Sequence, residues 1–135
     1  MSDIIFKKIS LLKGYIENLE NFLLKCRDGV ADESVFLSIE RLFQLIVDEA
    51  VDINAIILEK EGKPFPDTNQ ATFEALVDIG AIPKEFHLKI AGSVGLRNRL
   101  VHRYETVQRK VLIEEVARYV MAYKEYAIFV VKRYV

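Results

Sequence analysis

The chain has 135 residues, 51% of them hydrophobic, and a formal net charge of −1 at pH 7. This length suits a single domain over residues 1–135 with a core of ordinary size. The near-neutral charge excludes a general attraction for polyanions, so nucleic acid would have to meet a local basic cluster. The first ten residues do not resemble a signal peptide, and no apolar run approaches the ~20 residues of a membrane-spanning helix. We therefore expect a soluble, cytoplasmic protein with no membrane contact.

Two long amphipathic helices are predicted in the first half of the chain. Apolar residues recur there in steps of three and four, which is the spacing of one helix face. The first stripe is Ile5, Ile9, Leu12, Ile16, Leu19 and Leu23, and the second is Phe36, Ile39, Phe43, Ile46, Ala50, Ile53 and Ile57. Ser2 suits the start of the first helix and Gly29 lies just beyond its end, while Gly62 and Pro64 stop the second. Such seams predict an antiparallel helical hairpin.

A turn-rich loop over residues 62–69 leads into the second half. A short helix is predicted over Gln70–Ile79, capped by Thr68 or Asn69 and ended by Gly80. Pro83 suits the first residue of a further helix.

That further helix is predicted from about Lys84 to near Val101, and the last helix from about Val107. The predicted apolar face of the last helix is Ile113, Val116, Ala117, Val120, Ala127, Val130, Val131 and Tyr134. Tyr119, Tyr123, Tyr126 and Tyr134 are spaced as core and interface aromatics, with base stacking as the alternative. Because no segment alternates with period two, the predicted fold is an all-α, up-and-down bundle of four main helices plus one short extra helix.

The residues with the most chemistry lie together in the segment 95–104, with the sequence GLRNRLVHRY. Arg97 falls on the apolar side of its helix, where an arginine needs an anion or a partner. Asn98 and His102 are four residues apart and share a face, and Arg97 and Tyr104 align if the helix continues. Arg97 and His102 are about 140° apart on an ideal helix. Either the helix distorts near its end, or two copies of it build the site.

Small residues favour the second explanation. Gly92, Ser93 and Gly95 form a smooth patch inside a helix, where glycine costs up to ~1 kcal/mol relative to alanine. Such a patch is typical of a close backbone approach, and packing against a symmetry mate would bring two motifs together.

The charge of the same region suits RNA. Five basic side chains stand against one acid, Glu105, in the segment 97–110: Arg97, Arg99, Arg103, Arg109 and Lys110. Histidine can move the proton of a 2′-hydroxyl, and arginine can stabilise charge on phosphate oxygens. No His, Cys or carboxylate set has zinc spacing and no glycine-rich phosphate loop is present, so we expect no metal and no cofactor.

The run Arg97-Asn98-x-Leu100-Val101-His102-x-Tyr104, late in a compact helical chain, resembles the Arg-x4–6-His signature of the HEPN superfamily. More narrowly, the whole chain resembles the HepT toxins of HepT–MntA toxin–antitoxin pairs. The resemblance implies a homodimeric, metal-independent endoribonuclease with Arg97 and His102 as the catalytic pair.

The same resemblance assigns further roles. Asn98 would orient the scissile phosphate or His102, and Arg99 and Arg103 would position the RNA substrate. Tyr104 matches the tyrosine that the partner antitoxin, a minimal nucleotidyltransferase similar to MntA, modifies with AMP to silence the toxin.

Two other interpretations stay open. The first is a non-catalytic HEPN module that binds a nucleotide or substrate for a separate nucleotidyltransferase. The second is a plain dimeric bundle, in which an internal salt bridge holds Arg97, for example to Glu74 or Asp78.

Overall fold

The computed structural model describes residues 2–26, 31–101 and 109–135. Six helices lie in these ranges: α1 (Ser2–Leu23), α2 (Glu33–Lys60), α3 (Asn69–Asp78), α4 (Lys84–Ile90), α5 (Ser93–Val101) and α6 (Arg109–Tyr134). The described ranges contain no strand, which confirms the all-α prediction. None of the described helices is long and apolar enough to cross a bilayer.

Helices α1 and α2 pair along the two predicted stripes. Every residue of both stripes is buried except Leu23, which is half-buried. Asp32 caps α2, because its Oδ1 accepts from the backbone N–H of Val35 at 2.8 Å. Gly29, predicted to lie just beyond the end of the first helix, is outside the described residues, and α1 ends at Leu23.

The short helix α3 has the predicted caps. Thr68 Oγ1 accepts from the Ala71 N–H at 3.1 Å, so Thr68 is the N-cap. Gly80 has a φ of 76°, a left-handed conformation that glycine adopts without strain. Both the Thr68 cap and the Gly80 terminator depend on neighbouring residues in the sequence, which is why the sequence alone predicted them.

The single helix predicted from Lys84 to Val101 is divided into α4 and α5. The break falls at Ala91 and Gly92, although Ala91 keeps helical dihedral angles. Pro83 precedes α4 as its N-cap rather than forming its first turn. The break turns α5 as a separate short helix against α2 and α6.

The last helix closes the core with two fully buried tyrosines, Tyr123 and Tyr126. Their burial excludes both as stacking platforms for bases. The predicted apolar face was wrong at Ala117, which is exposed, while Leu112 and Ala122 are buried.

A chain of polar groups crosses this otherwise apolar core. Tyr126 OH donates to Asn54 Oδ1 at 2.6 Å, and Asn54 Nδ2 donates to Thr72 Oγ1 at 3.0 Å. Thr72 Oγ1 in turn donates to the carbonyl of Asn69 at 2.6 Å. Asn54 and Thr72 have no exposed surface. The chain therefore ties α6 and α2 to the first turn of α3.

Candidate functional site

Arg97 lies on α5, where its neighbours fix the helix against the core. Leu96 and Leu100 are buried, and Ser93 Oγ donates to the Ile90 carbonyl at 2.8 Å. Ser93 Oγ also shares a hydrogen bond of 2.7 Å with Tyr123 OH. The Arg97 side chain is 30% exposed, so it emerges at the edge of the core rather than in free solvent.

The partner of Arg97 is Asp48 of α2. Arg97 Nε lies 3.3 Å from Asp48 Oδ1, and Arg97 Nη2 donates to Asp48 Oδ2 at 3.3 Å. Both contacts are ion-pair contacts on one edge of the guanidinium, but only the one from Nη2 is a hydrogen bond, because Nε has no hydrogen-bond partner. Glu74 and Asp78, the partners considered from the sequence, are not the ones used.

Asn98 continues this arrangement towards solvent. Arg97 Nη1 donates to Asn98 Oδ1 at 3.4 Å, and Asn98 is exposed. The structure therefore brings Arg97 and Asn98 together, on the side of the guanidinium that Asp48 does not use.

A pocket of about 320 Å³ opens beside these side chains. Its lining consists of Val47, Asp48, Thr68, Asn69, Gln70, Val94, Arg97 and Asn98. Helices α2, α3 and α5 each contribute to it. A fork-shaped cation at the edge of a small polar pocket is suited to a phosphate group and one attached residue of a polymer.

Arg99 belongs to a different surface of α5. Its Nη2 lies 3.1 Å from Glu115 Oε1 of α6, and Arg99 is exposed. Glu115 of α6 is the partner of Arg99 in this ion pair. Arg99 does not line the Arg97 pocket in this chain.

His102, Arg103 and Tyr104 lie outside the described residues. Their distances to Arg97 and Asn98 are not part of the described geometry, so their roles remain predictions.

The small-residue patch has a different cause from the one predicted at two of its three positions. A Cβ built at Gly92 would overlap the hydroxyl of Tyr119, so the glycine leaves room for that side chain within the chain. Ser93 is buried and its hydroxyl bonds within the chain. Gly95 is exposed, and a Cβ there would meet no atom within 4 Å. Gly92 is exposed too, so both glycines stay available for a second copy of the chain.

Other chemistry-bearing groups lie away from this site. The Cys26 thiol has its pKa raised by burial and by the nearby charge of Asp32, which disfavours a nucleophilic thiolate. Among the described residues, no group of three or more His, Cys, Asp or Glu could hold a metal ion. A wider groove of about 800 Å³ between α1 and α2 is mainly apolar and open.

Sequence reasoning missed Asp48 and the first residues of α3. Asp48 follows buried Val47 and precedes Ala50 in the apolar seam, so an acid next to a buried stripe was the available signal. That signal is weak because Glu49 is also an acid next to the buried stripe. Glu49 pairs with Lys8 instead, at 3.2 Å.

Comparisons with known proteins give a family and a fold. The sequence profile of the family described as ribonuclease HepT-like matches residues 12–130. A protein of Aphanizomenon flos-aquae named tRNA nuclease HepT is 38% identical over 110 residues, which cover 77% of this chain and 71% of the relative. A Shewanella oneidensis protein named mRNA nuclease HepT is 25% identical over 131 residues, covering 93% and 95%.

Solved structures of toxin–antitoxin complexes have the same backbone. The tri-AMPylated HEPN toxin of Shewanella oneidensis, solved in complex with its MNT antitoxin, superimposes with a TM-score of 0.87 at 20% identity, covering 98% of this chain and all (100%) of that one. A toxin–antitoxin structure with AMP-PNP gives a TM-score of 0.87 at 19% identity, covering 97% and 99%. At such identities the likeness shows the fold.

Proposed function

Because this chain belongs to the ribonuclease HepT-like family, we propose that it is a metal-independent endoribonuclease toxin of a toxin–antitoxin system, acting in the cytoplasm. The observation that carries the proposal is the Arg97 guanidinium. It is paired with Asp48 and contacts Asn98, and all three side chains line a pocket of about 320 Å³. An arginine oriented in this way can stabilise the charge that develops on a phosphate.

The proposed reaction is transesterification within the RNA. His102 takes the proton from a 2′-hydroxyl, and the oxygen attacks the adjacent phosphorus. The bond to the 5′-oxygen breaks and that oxygen takes up a proton, which leaves a 2′,3′-cyclic phosphate and a 5′-hydroxyl. Arg97 stabilises the negative charge on the non-bridging oxygens during this step. Asn98, which already contacts the guanidinium, orients the phosphate, and Arg99 and Arg103 position the RNA strand.

We propose a homodimer as the active form. Arg97 and His102 are about 140° apart on an ideal helix, so one helix does not converge them. In the proposed dimer a two-fold axis perpendicular to α5 would pair two antiparallel helices, so that the Arg97 of one protomer acts with the His102 of its partner. Exposed Gly95, beside Arg97 on α5, permits the close helix approach that this requires.

The proposed control is AMPylation of Tyr104 by a cognate nucleotidyltransferase antitoxin similar to MntA. Tyr104 lies two residues after the proposed base. An AMP group there adds bulk and negative charge next to the basic residues that would hold RNA. The adduct thereby blocks the groove by occupancy and by repulsion.

A second candidate function is supported by the ion pair itself. Asp48 already neutralises Arg97 within the chain. A non-catalytic module that holds a nucleotide or substrate for a partner nucleotidyltransferase would need Arg97 only as a binding group. This candidate predicts phosphate-dependent binding without cleavage.

The deciding experiment is cleavage of a mixed RNA pool by purified protein in EDTA, beside Arg97→Ala and His102→Ala. Arg41→Ala is a matched control, because Arg41 is an exposed arginine on the α1–α2 groove. Cleavage by the parent and by the control that both site variants lose supports the nuclease. A parent that is dimeric, inert and shown by mass spectrometry to be free of AMP contradicts it and favours the binding module.

A further inference from the structure

The Arg97 pocket has a second wall that the catalytic motif does not supply. Besides Arg97 and Asn98, the pocket is lined by Thr68, Asn69 and Gln70 at the start of α3. The last two are exposed amide side chains that lie some thirty residues before the motif in sequence. The fold, rather than the motif, therefore brings them to the site.

This wall is held firmly from behind. Thr68 Oγ1 caps the helix, and the Asn69 carbonyl accepts from Thr72 Oγ1 at 2.6 Å. Thr72 is in turn bonded to buried Asn54, which is bonded to Tyr126. Buried polar groups cost free energy unless every one is satisfied, and satisfied networks make a local structure rigid. The network fixes the backbone from which the two amides project.

The lining of the pocket matches a nucleobase better than a second phosphate. Val47 and Val94 give it an apolar part, while Asn69 and Gln70 each offer an amide donor and an amide acceptor. Asp48 adds a negative charge, which disfavours another anion beside the one at Arg97. Unpaired bases in RNA are recognised by such a combination of apolar contact and hydrogen bonds to base edges.

We propose that Asn69 and Gln70 bind the base of the nucleotide next to the scissile phosphate and set the sequence preference of cleavage. The inference rests on the proposed function, because that function places the phosphate at Arg97. The ligand class is an unpaired nucleobase in single-stranded RNA, and the two amides act by hydrogen bonding to its edge.

The test compares cleavage sites in a randomised RNA pool for the parent, the double variant Asn69→Ala/Gln70→Ala and the control Asn18→Ala. Asn18 is an exposed amide on the α1–α2 groove. The parent and the control should share a preference for particular bases at one position beside the cut. The double variant should lower that preference at least about fivefold, because a good amide–base pair contributes that much discrimination or more. An unchanged preference in the double variant, or no preference in the parent, overturns the proposal.

A binding measurement separates this inference from the nuclease proposal. The cleavage-blocked His102→Ala chain is titrated with the four homopolymeric oligoribonucleotides, with and without Asn69→Ala/Gln70→Ala, and helicity and melting temperature are recorded to confirm folding. Selective binding that the double variant loses supports the inference even where the parent cleaves nothing. Cleavage by the parent together with equal binding of all four oligonucleotides keeps the nuclease and rejects base recognition by these amides.

Discussion

Replacing Asp48 by asparagine should release Arg97 from its fixed orientation and lower the rate of RNA cleavage, while leaving the fold nearly intact. The substitution keeps the shape of the side chain but replaces a carboxylate with an amide. Both contacts of 3.3 Å to the guanidinium then lose their charge, and the amide nitrogen faces the guanidinium donors unfavourably. Arg97 would leave its fixed orientation and sample the open pocket.

The size of the two expected effects differs widely. The Arg97 side chain is 30% exposed and that of Asp48 is 47% exposed, so solvent screens the pair. Such pairs contribute roughly 0.2–1 kcal/mol to folding, and the melting temperature should fall only slightly. Catalysis is more sensitive, because misplacing a catalytic group by about 1 Å can cost on the order of 100-fold. We expect kcat for RNA cleavage to fall about 10- to 100-fold, with a much smaller change in KM.

The assay is steady-state cleavage of a fluorophore–quencher RNA, with thermal denaturation of the same samples. Asp52→Asn is the matched control, since it removes the same charge from the same helix one turn later, where the side chain is 62% exposed and faces Lys8. Loss of activity in both variants would point to overall charge. An Asp48→Asn variant with unchanged or higher kcat/KM would refute the positioning role and identify Asp48 as a competitor of the phosphate.

Three further predictions concern the frame around the site. Gly92→Ala should destabilise the chain by about 1–3 kcal/mol through overlap with the Tyr119 hydroxyl, and Tyr119→Phe should recover most of it in a double-mutant cycle followed by urea unfolding; no recovery would return Gly92 to an interface between chains. Tyr126→Phe should cost about 1–3 kcal/mol, because the buried Asn54 Oδ1 loses its donor; an unchanged urea midpoint would contradict this. Burial raises the pKa values of Tyr123 and Tyr126 above the ordinary 10.0. The unfolded chain releases these protons above pH 10 and the folded chain retains them, so the free energy of unfolding should fall by about 1.4 kcal/mol per pH unit per tyrosine; a flat alkaline stability profile would contradict it.

The elements that could be predicted from sequence are those whose causes are local. The stripes of α1 and α2, the Thr68 cap and the Gly80 terminator all depend on residues within a few positions of one another. The close contact at Gly92, where the motif helix is divided, is not local. It is made by Tyr119, which lies on α6 and reaches Gly92 only once the chain is folded.

The same distinction divides the candidate site. Arg97 could be predicted as a site residue because an arginine at an apolar helical position requires a partner, and Asn98 is next to it. The partner could not be predicted, because Asp48 lies 49 residues earlier in the chain and several other acids were equally suitable. The amides of Asn69 and Gln70 gave no signal at all, since surface amides at a helix start are common and only the packing of α3 brings them to Arg97.

The basic residues of the segment 97–110 are less free than their number suggests. Arg97 and Arg99 are ion-paired, with Asp48 and Glu115 respectively. The Arg109 guanidinium carbon lies 4.4 Å from the centroid of an aromatic ring on α2. RNA binding would therefore exchange existing partners for phosphates rather than engage free cations.

This exchange sets the salt dependence that RNA binding should show. Five free cations per protomer would give a slope of log K against log salt of about −3.5, at about −0.7 per phosphate for single strands. Arg97 and Arg99 are already ion-paired, whereas the ring contact of Arg109 leaves its charge in place. At most three cations then contribute fully, and we expect a slope of about −2.1 per protomer. Fluorescence anisotropy of a single-stranded RNA on the His102→Ala chain, from low to moderate salt, measures it. A slope near −3.5 would show that Asp48 and Glu115 do not compete with RNA phosphates for Arg97 and Arg99 in solution. RNA specificity would then rest on charge rather than on the pocket.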